Sequence, residues 1–259
     1  MKKRYSTDLT DEQWSKIKDI FCIEYTSGRP REVNMREIVN ALFYMIKTGC
    51  QWGLLPLDFP PKSTVYYYFK KFQEDGSFIE ANRLLREDLR VKAGREKQPT
   101  AGIVDSQTSK SISITKDAGY DGGKKIKGRK RHIIVDAMGS LLCGKVHPAN
   151  ITDRDGVKML LPLVALLFSG IKIIFADGGY SGNPLRDWVL SCFNWVLKIM
   201  KRPRKKFQIV KFRWIVERTF AWLLMYRRLS KSYEVSTESE ESWLYIAAFQ
   251  ITLRRLCPD

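Results

Sequence analysis

From residue 100 onward, the order of apolar segments limits the chain to a mixed α/β sheet. Three β-branched runs come first, one in AGIVDS and two in RHIIVDAMGSLLCGKV, where Met138-Gly139 is typical of a hairpin turn. After them come a helical pattern over 154–168, the strand IKIIFAD, a helix over 183–192, the strand WVLKIM, and long helices over 211–229 and 239–256. This order predicts a mixed five-stranded sheet flanked by helices.

The first 95 residues have helical patterns and predict a separate N-terminal domain. Thr10 and Gln13 have the spacing of a capping box, and Asn34 is suited to cap a second helix that stops at a glycine. The polar stretch KAGREKQPT then marks a boundary. We therefore predict an all-α, helix-turn-helix-like DNA-binding domain over residues 1–95 and a second domain over residues 100–259.

The third helix of the N-terminal region, VYYYFKKFQEDG, allows two interpretations. In a helix-turn-helix the second helix enters the major groove of DNA, which would place Tyr66, Lys70 and Lys71 against DNA. Alternatively, the aromatic side chains pack a small helical bundle. The spacing of these residues does not decide between the two.

Composition points to a polyanionic partner. Lysine and arginine number 45 against 28 acidic residues, the net charge is +17, and most of the excess follows residue 100. Such a charge favours nucleic acid as the partner. Five scattered cysteines without a C-x-x-C pair argue against a zinc or disulfide framework. The longest apolar run, over 159–168, is too short to span a bilayer and the N-terminus lacks a signal core, so we expect a cytoplasmic protein without a membrane partner.

Two basic clusters carry much of this charge. Charge runs are often solvated faces. Because both clusters adjoin segments that carry acidic residues of interest, we expect them to contact the DNA backbone, with steep salt dependence. The clusters are Lys124, Lys125, Lys127, Arg129, Lys130 and Arg131, and Lys201, Arg202, Arg204, Lys205 and Lys206.

Two aspartates end predicted strands. Asp105 follows the apolar run in IVDSQ, and Asp177 follows IIFA and precedes Gly178-Gly179. Carboxylates that end neighbouring strands meet at one edge of the sheet, and glycines let the backbone pass closely. For either aspartate alone, the alternative is that it caps the next turn or helix.

A third acid, Glu217, lies on a predicted helix that is rich in arginine. In RWIVERTFAWLLMYRRL, Arg213, Glu217 and Arg228 share one face at helical spacing. An acid among arginines suits a site that binds both metal and phosphate, with Arg213, Arg218 and Arg228 contacting phosphate. The alternative is a surface salt bridge between Glu217 and Arg213.

Three carboxylates suit metal-dependent chemistry on phosphodiesters. Magnesium prefers oxygen ligands. Three acids can hold two Mg²⁺ or Mn²⁺ ions about 3.5–4 Å apart, one activating the attacking oxygen and the other stabilising the leaving oxygen. Water attack would free a 3′-hydroxyl, which would then attack a second phosphodiester. This scheme requires no covalent protein intermediate.

Long motifs occur in a fixed order: GIVDSQT, GYDGGKKIKGRKRHIIVDAMG, HPANITDRDG, ADGGYSG and RWIVERTFAWLLMYRRLSKSYE. They resemble the DDE transposases of bacterial insertion sequences, specifically the insertion-sequence-five family. LTDEQWSKI and REIVNALFYMIKTGCQW resemble the helical DNA-binding region of that family, so the resemblance covers nearly the whole chain. The chain departs from the broader signature at Val210 and Leu224, where a tyrosine and a basic residue are expected.

The resemblance implies an RNase H-like catalytic domain over residues 100–259, with Asp105, Asp177 and Glu217 as the catalytic and metal-binding residues. It implies action on the inverted terminal repeats of the chain's own element and on target DNA. We expect a homodimer or larger synaptic assembly in a bacterial, nucleoid-associated setting. Two alternatives stay open: a catalytically inactive or repurposed DNA-binding protein derived from a transposase, and a general RNase H-like nuclease.

Other polar residues compete for a role at the metal site. Asp136 lies in a strand, and Asp153 is interpreted first as the N-cap of the following helix. His132 and His147 are interpreted as satisfied core histidines, with orientation of the metal site as the alternative for His147. Trp222 and Tyr226 are expected in the core rather than stacked on bases.

Overall fold

The computed structural model describes residues 4–22, 32–112, 114–200 and 211–258, without the Lys211 side chain. The chain begins with a helical region, and a mixed sheet with its own helices follows. The helices of the first region are α1 (Asp11–Phe21), α2 (Met35–Thr48), α3 (Lys62–Glu74) and α4 (Ser77–Lys92).

Local hydrogen bonds explain where these helices begin and end. Thr10 Oγ1 accepts from Gln13 N at 3.0 Å, and the Gln13 side chain accepts from Thr10 N at 3.2 Å, so the predicted capping box is confirmed. Asn34 caps α2 by accepting from Arg36 N at 3.0 Å. The chain leaves α2 at Gly49, whose φ of +72° favours glycine.

The sheet has six strands rather than the predicted five. β1 pairs antiparallel with β3 and parallel with β5, β6 extends the parallel part, and β4 pairs with the remaining edge of β3. The additional strand, β2, pairs with the start of β3 beyond the end of β4, and it is too short to give a sequence pattern. The strands are β1 (Ala101–Lys110), β2 (Gly119–Asp121), β3 (Ile126–Val135), β4 (Leu141–Pro148), β5 (Ile173–Ala176) and β6 (Val196–Ile199).

Helices cover both faces of this sheet, which confirms the predicted RNase H-like α/β fold. Alternate residues of a strand point to opposite faces. Val104 and Ile134 therefore pack with α5 and α6, whereas Ile103 and Ile133 belong to the core beneath α7 and α8. These helices are α5 (Asp153–Leu167), α6 (Asn183–Phe193), α7 (Lys211–Leu224) and α8 (Thr237–Leu256).

The helix predicted over 211–229 is shorter in the structure. α7 ends at Leu224, and a short 3₁₀ turn over Arg227–Leu229 follows. Between them Tyr226 takes an extended backbone conformation that buries its side chain in the core, as predicted for this residue. The 3₁₀ turn lies against the end of α2, where a Cβ on Gly49 would be 3.1 Å from Arg227 Cβ. The segment after α7 is therefore packed against the end of α2 as a 3₁₀ turn rather than as a continued helix.

One hydrophobic core joins the N-terminal helices to the sheet through α8. Trp243 of α8 is fully buried, with its ring centroid 4.8 Å from that of Phe69 on α3. Phe249 of α8 lies 5.2 Å from Phe43 on α2. The predicted boundary between residues 95 and 100 stays a prediction, and apolar packing crosses it.

The hairpin between β3 and β4 is held by Asp136, which is fully buried. Its carboxylate accepts from the backbone of Met138 and Ser140, each at 2.9 Å, and from Arg90 Nη1 at 2.7 Å. Gly139 completes the predicted turn with φ of +79°. Asp136 therefore has a structural role in the hairpin rather than a role as a metal ligand.

Across the described ranges, no helix is long and apolar enough to cross a membrane. All five cysteines lie in the part of the chain that the structure describes, and none of them forms a disulfide.

Replacing Asp136 with alanine is expected to destabilise the fold by about 3–5 kcal/mol, because it leaves the buried Arg90 charge without its partner. The midpoint of urea unfolding, monitored by circular dichroism, measures this change. Asp187→Ala removes an exposed carboxylate paired with Arg186 and is the matched control, with an expected change below about 1 kcal/mol. Equal effects of the two substitutions would contradict the assignment.

Candidate active site

Two of the predicted catalytic acids lie level with each other on neighbouring parallel strands. β1 and β5 pair with Ile103 opposite Phe175, and continuing this register places Asp105 beside Asp177. Asp177 follows the end of β5, as predicted. Asp105 does not end its strand, because β1 also pairs with β3 and continues to Lys110. The two carboxylates nevertheless come together at the same end of the β1–β5 pair.

Asp105 is the acid most affected by its surroundings. Burial raises its pKa to about 6, and the negative charge of Asp177 contributes in the same direction. The hydrogen bond from Ser106 N to Asp105 Oδ1, at 2.7 Å, opposes this shift, as does the charge of Arg213. A half-buried carboxylate beside a second acid is a position that a cation would stabilise.

Asp177 was predicted either as a site carboxylate or as the cap of the next turn, and in the structure it caps a turn and also faces Arg213. Its Oδ1 accepts from Gly179 N at 2.8 Å and caps a 3₁₀ turn over Gly178–Tyr180, while its Oδ2 lies 3.6 Å from Arg213 Nη2. Gly179 passes between two acids, since a Cβ there would lie 3.1 Å from Asp177 Oδ1 and 3.3 Å from Asp153 Oδ2. The close backbone approach predicted for the Gly-Gly pair thus occurs at Gly179.

Glu217 reaches the same region from α7. Phe212 stacks on Phe175 of β5 with ring centroids 4.1 Å apart, which fixes the start of this helix against the sheet. Arg213 Nε donates to Glu217 Oε1 at 2.8 Å, so the predicted salt bridge is present. The same guanidinium faces Asp177, and its charge acts on Asp105.

Arg213 is therefore a cation shared by the three acids. Burial lowers its pKa, but the hydrogen bond to Glu217 and the charges of the three carboxylates raise the pKa on balance. Within the described ranges, no three histidine, cysteine or acidic side chains lie close enough together to hold a metal ion. The Arg213 side chain lies between Asp177 and Glu217. The donors are nonetheless anionic oxygens around a position that already attracts a cation, which fits a hard divalent ion.

Asp153 is a fourth acid near this region. The predicted N-cap was wrong by one residue, because Thr152 caps α5 and Asp153 is its first residue. Asp153 Oδ1 accepts from Ser106 Oγ at 2.7 Å and from Lys130 Nζ at 3.0 Å. Burial acts to raise its pKa, but these two hydrogen bonds lower it overall. The motif HPANITDRDG contained this residue, but two adjacent cap-forming side chains left its orientation undetermined.

Half of the first predicted basic cluster is not available to DNA. Arg129 and Arg131 are buried, and both bind the buried Glu240 of α8, through Arg129 Nη1 at 3.2 Å and Arg131 Nε at 2.7 Å. Lys130 is buried on the opposite face of β3 and binds Asp153. The prediction of DNA contact is wrong for these three residues, because strand β3 turns them into the protein. Lys124, Lys125 and Lys127 are exposed.

The arginines predicted on α7 and beyond it differ in role. Arg228 is buried; it donates to Cys50 O at 2.8 Å and pairs with Glu234, so phosphate contact is wrong for this residue. Arg218 is half-buried between the rings of Trp214 and Trp222, 4.4 and 4.5 Å from their centroids. Among the described carboxylates none forms a salt bridge with Arg218, which leaves its charge available to an anion.

The third helix shows elements of both interpretations. Phe69 and Phe72 pack into the core, whereas Tyr66 is exposed beside Trp52. Lys70 Nζ donates to Gln73, and Lys71 lies 6.0 Å from the Tyr67 ring centroid. The bundle interpretation is confirmed for the phenylalanines, and DNA contact by Tyr66, Lys70 and Lys71 stays a prediction. The second basic cluster, Lys201, Arg202, Arg204, Lys205 and Lys206, lies outside the described residues.

Comparison with known proteins agrees with these features. A family model described as the transposase DDE domain matches residues 96–251, and a model of proposed transposases of the IS4/5 family matches residues 9–82. A proposed transposase for insertion sequence element IS402 of Burkholderia cepacia is 30% identical over 141 residues, which cover 49% of this chain and 65% of that protein. The match thus spans just under two thirds of that relative's length.

Two solved structures show a distant likeness. The catalytic domain of Mos1 mariner transposase has 12% identity and a TM-score of 0.36, over 69% of this chain and 87% of that one. The Mos1 strand transfer complex has 12% identity and a TM-score of 0.34, over 90% of this chain and 79% of that one. The family assignment rests on the sequence matches.

The family model that matches residues 96–251 identifies this sheet and its helices as a transposase DDE domain. The chain belongs to the DDE transposases of insertion sequences, in the insertion-sequence-five family. Membership of this family implies use of a divalent metal ion.

Asp105→Asn is expected to stabilise the protein at high pH. Because burial raises the folded-state pKa of Asp105 to about 6, above an unfolded value near 3.9, the ionised side chain costs stability as pH rises through this interval. The variant should gain about 1–3 kcal/mol at pH 8 and little at pH 4. Urea unfolding in EDTA at the two pH values measures the gain. Asp187→Asn, an exposed control, should change stability by less than about 0.5 kcal/mol at both; a pH-independent effect of Asp105→Asn would refute the cause given.

Proposed function

We propose that the protein binds the terminal inverted repeats of its insertion sequence and catalyses metal-dependent DNA cleavage and strand transfer. The observation that carries this proposal is the environment of Arg213. Its guanidinium contacts Asp177 and Glu217, and its charge lowers the pKa of Asp105. Three acids that are distant in sequence therefore surround one cationic position, as an enzyme using divalent ions requires.

Asp105, Asp177 and Glu217 would hold two Mg²⁺ or Mn²⁺ ions. When bound, such ions activate the attacking oxygen and stabilise the leaving oxygen of a phosphodiester. For all three acids to act as ligands, the Arg213 side chain has to leave them. It then becomes available to donate a charge-assisted hydrogen bond to a DNA phosphate.

The proposed reaction has two parts at one site. A water oxygen attacks the phosphorus at the element end, the bond to the 3′ oxygen breaks, and a 3′-hydroxyl is released. That hydroxyl then attacks a phosphorus of the target, whose own 3′ oxygen leaves. Arg213, positioned between the acids and the phosphate, would hold the non-bridging oxygens in both parts.

The exposed lysines of the first cluster support DNA contact beside the acids. Lys124 Nζ lies 3.3 Å from Thr108 Oγ1 on β1, and its charge lowers the pKa of Asp105. Lys125 is exposed on the turn between β2 and β3, and Lys127 is exposed at the start of β3. A phosphate backbone bound here would run past the catalytic carboxylates. Arg218 provides a further cation on α7.

The remaining contacts complete the proposal. Double-stranded DNA, both as element ends and as target, is the proposed partner, and a homodimer or larger synaptic assembly would hold two ends. We propose that α3 contributes to recognition of the ends, in a nucleoid-associated setting. The proposed further contacts are Tyr66, Lys70, Lys71, Arg202, Arg204 and Lys205.

Glu217→Gln should abolish cleavage while DNA binding stays within about threefold of wild type. The amide keeps the size of the side chain but removes the anionic ligand, so we expect a loss of more than about 100-fold. Cleavage of labelled element-end DNA with Mg²⁺, together with a gel-shift assay, measures both properties. Glu74→Gln, an exposed acid at the end of α3, is the matched control and should behave as wild type. Parallel loss of cleavage and binding by Glu217→Gln would argue against the catalytic assignment.

Replacing Lys124, Lys125 and Lys127 together with glutamine should make DNA binding less dependent on salt. Each lost phosphate contact lowers the slope of log K against log salt by about 0.9. Fluorescence anisotropy with a labelled duplex between about 50 and 200 mM salt measures the slope. Lys16→Gln on α1, whose side chain pairs with Asp88, is the control. An unchanged slope in the triple variant would exclude these lysines from the interface.

A further inference from the structure

A buried chain of hydrogen bonds lies behind the candidate site, and the proposed reaction does not use it. The Tyr180 hydroxyl is 2.6 Å from His132 Nε2, and His132 Nδ1 is 3.0 Å from His147 Nε2. His147 Nδ1 is in turn 3.0 Å from Pro148 O. All three rings are almost completely buried, and the histidines are the only two in the sequence.

Neutral rings and a terminal carbonyl together fix the direction of the hydrogen bonds. Burial lowers the pKa of His132 to about 3 and also lowers the pKa of His147, so both rings are taken as neutral. A carbonyl oxygen only accepts, so His147 Nδ1 carries the single proton of its ring and His147 Nε2 accepts. His132 Nδ1 therefore donates to His147, and His132 Nε2 accepts from the Tyr180 hydroxyl.

This chain of hydrogen bonds connects the two backbone segments that carry Asp105 and Asp177. Tyr180 ends the 3₁₀ turn that Asp177 caps, and Tyr180 N donates to Asp177 O at 3.2 Å. On β3, His132 lies directly opposite Ser106 of β1, the residue after Asp105. The Tyr180–His132 hydrogen bond thus ties the Asp177 turn to the strand pair that holds Asp105.

Helix α5 has a glycine where it crosses the two histidines. A Cβ on Gly156 would lie 2.5 Å from His132 Nδ1 and 2.6 Å from His147 Nε2, the two atoms that form the central hydrogen bond. Any larger residue at this position has to displace the rings. Gly156→Ala therefore perturbs the Tyr180–His132–His147 hydrogen bonds without removing any of the polar groups that form them.

We propose that the Tyr180–His132–His147 chain is a positioning device that sets the separation of Asp105 and Asp177, and with it the affinity of this acid pair for divalent ions. The inference rests on the proposed function. Partners behind a metal site that orient its ligands typically change metal affinity by about 10–100-fold when they are lost. An apolar core of equal volume would fill the same space but would not fix the turn by a hydrogen bond.

Tyr180→Phe is the central test, because it keeps the ring and removes only the hydroxyl. Mn²⁺ alone is titrated into the full-length protein, and free Mn²⁺ is followed by electron paramagnetic resonance. We expect Tyr180→Phe to weaken Mn²⁺ binding about tenfold. Tyr233→Phe, which removes a surface hydroxyl 3.3 Å from Ser230 Oγ, is the control and should bind Mn²⁺ as wild type does.

Histidine spectra report the chain independently of metal binding. With ¹⁵N-labelled histidine, two imidazoles give four ring nitrogen resonances, and both rings should be protonated on Nδ1 at neutral pH. Tyr180→Phe should shift the His132 Nε2 resonance most strongly. A ring protonated on Nε2, or a doubly protonated ring at neutral pH, would overturn the proposed chain.

The outcomes separate this inference from the proposed function. Wild-type protein that does not bind Mn²⁺ would overturn both. Binding by wild type and equal binding by Tyr180→Phe, with the His132 resonance shifted, would overturn the positioning role alone. Gly156→Ala provides a second variant if Tyr180→Phe does not fold, and it too should weaken Mn²⁺ binding. Unchanged affinity in a folded Gly156→Ala variant would count against the device.

Discussion

The parallel pairing of β1 with β5 is the contact on which the candidate site depends. It brings Asp105 level with Asp177 although the two acids are far apart in sequence. The same strand β1 pairs through its other edge with β3, so the histidine chain has a direct connection to this position. Helix α7 then adds Glu217, because Phe212 packs on Phe175 of β5. Asp105 lies on β1, Asp177 directly follows β5 and Glu217 lies on α7, so the three acids come from three elements that meet at one part of the sheet.

Charge is divided between the interior and the surface in a way that the net charge of +17 does not reveal. Arg129 and Arg131 share Glu240 and tie the start of α8 to β3. A buried ion pair costs much to desolvate, and removing one partner is strongly destabilising because the other charge is left buried without compensation. The basic side chains that remain for the proposed DNA contact are therefore fewer than composition indicates, and among them the charge of Lys124 acts on Asp105.

Much of the fold could be predicted from sequence because its signals are local. The capping box at Thr10, the turn at Gly139 and the order of strands and helices depend on neighbouring residues. Burial of the basic part of β3, Arg129 to Arg131, could not be predicted, because a run of basic residues gives no apolar alternation to read. Likewise, Thr152 and Asp153 are both good caps, and only the packed structure turns Asp153 toward Ser106.

In the candidate site, too, the features with local signals could be predicted, and those that depend on contacts between distant residues could not. Its three acids stand out in the sequence by residue type and context, and the resemblance to a family added their grouping. Arg213 as the cation common to these acids, and Tyr180 as the partner of His132, depend on contacts between distant segments. Such contacts leave no periodicity in the sequence, so they are visible only in three dimensions.

Helix α8 follows all other described elements along the chain, yet Trp243 and Phe249 fill the centre of the core beside α2 and α3. During synthesis, the N-terminal helices therefore emerge long before the segment that buries their apolar faces. Until then, Phe43 and Phe69 have no α8 partner and are open to association with other chains. Closing so long a loop is slow, so these apolar faces stay uncovered until α8 has been made and has packed against them.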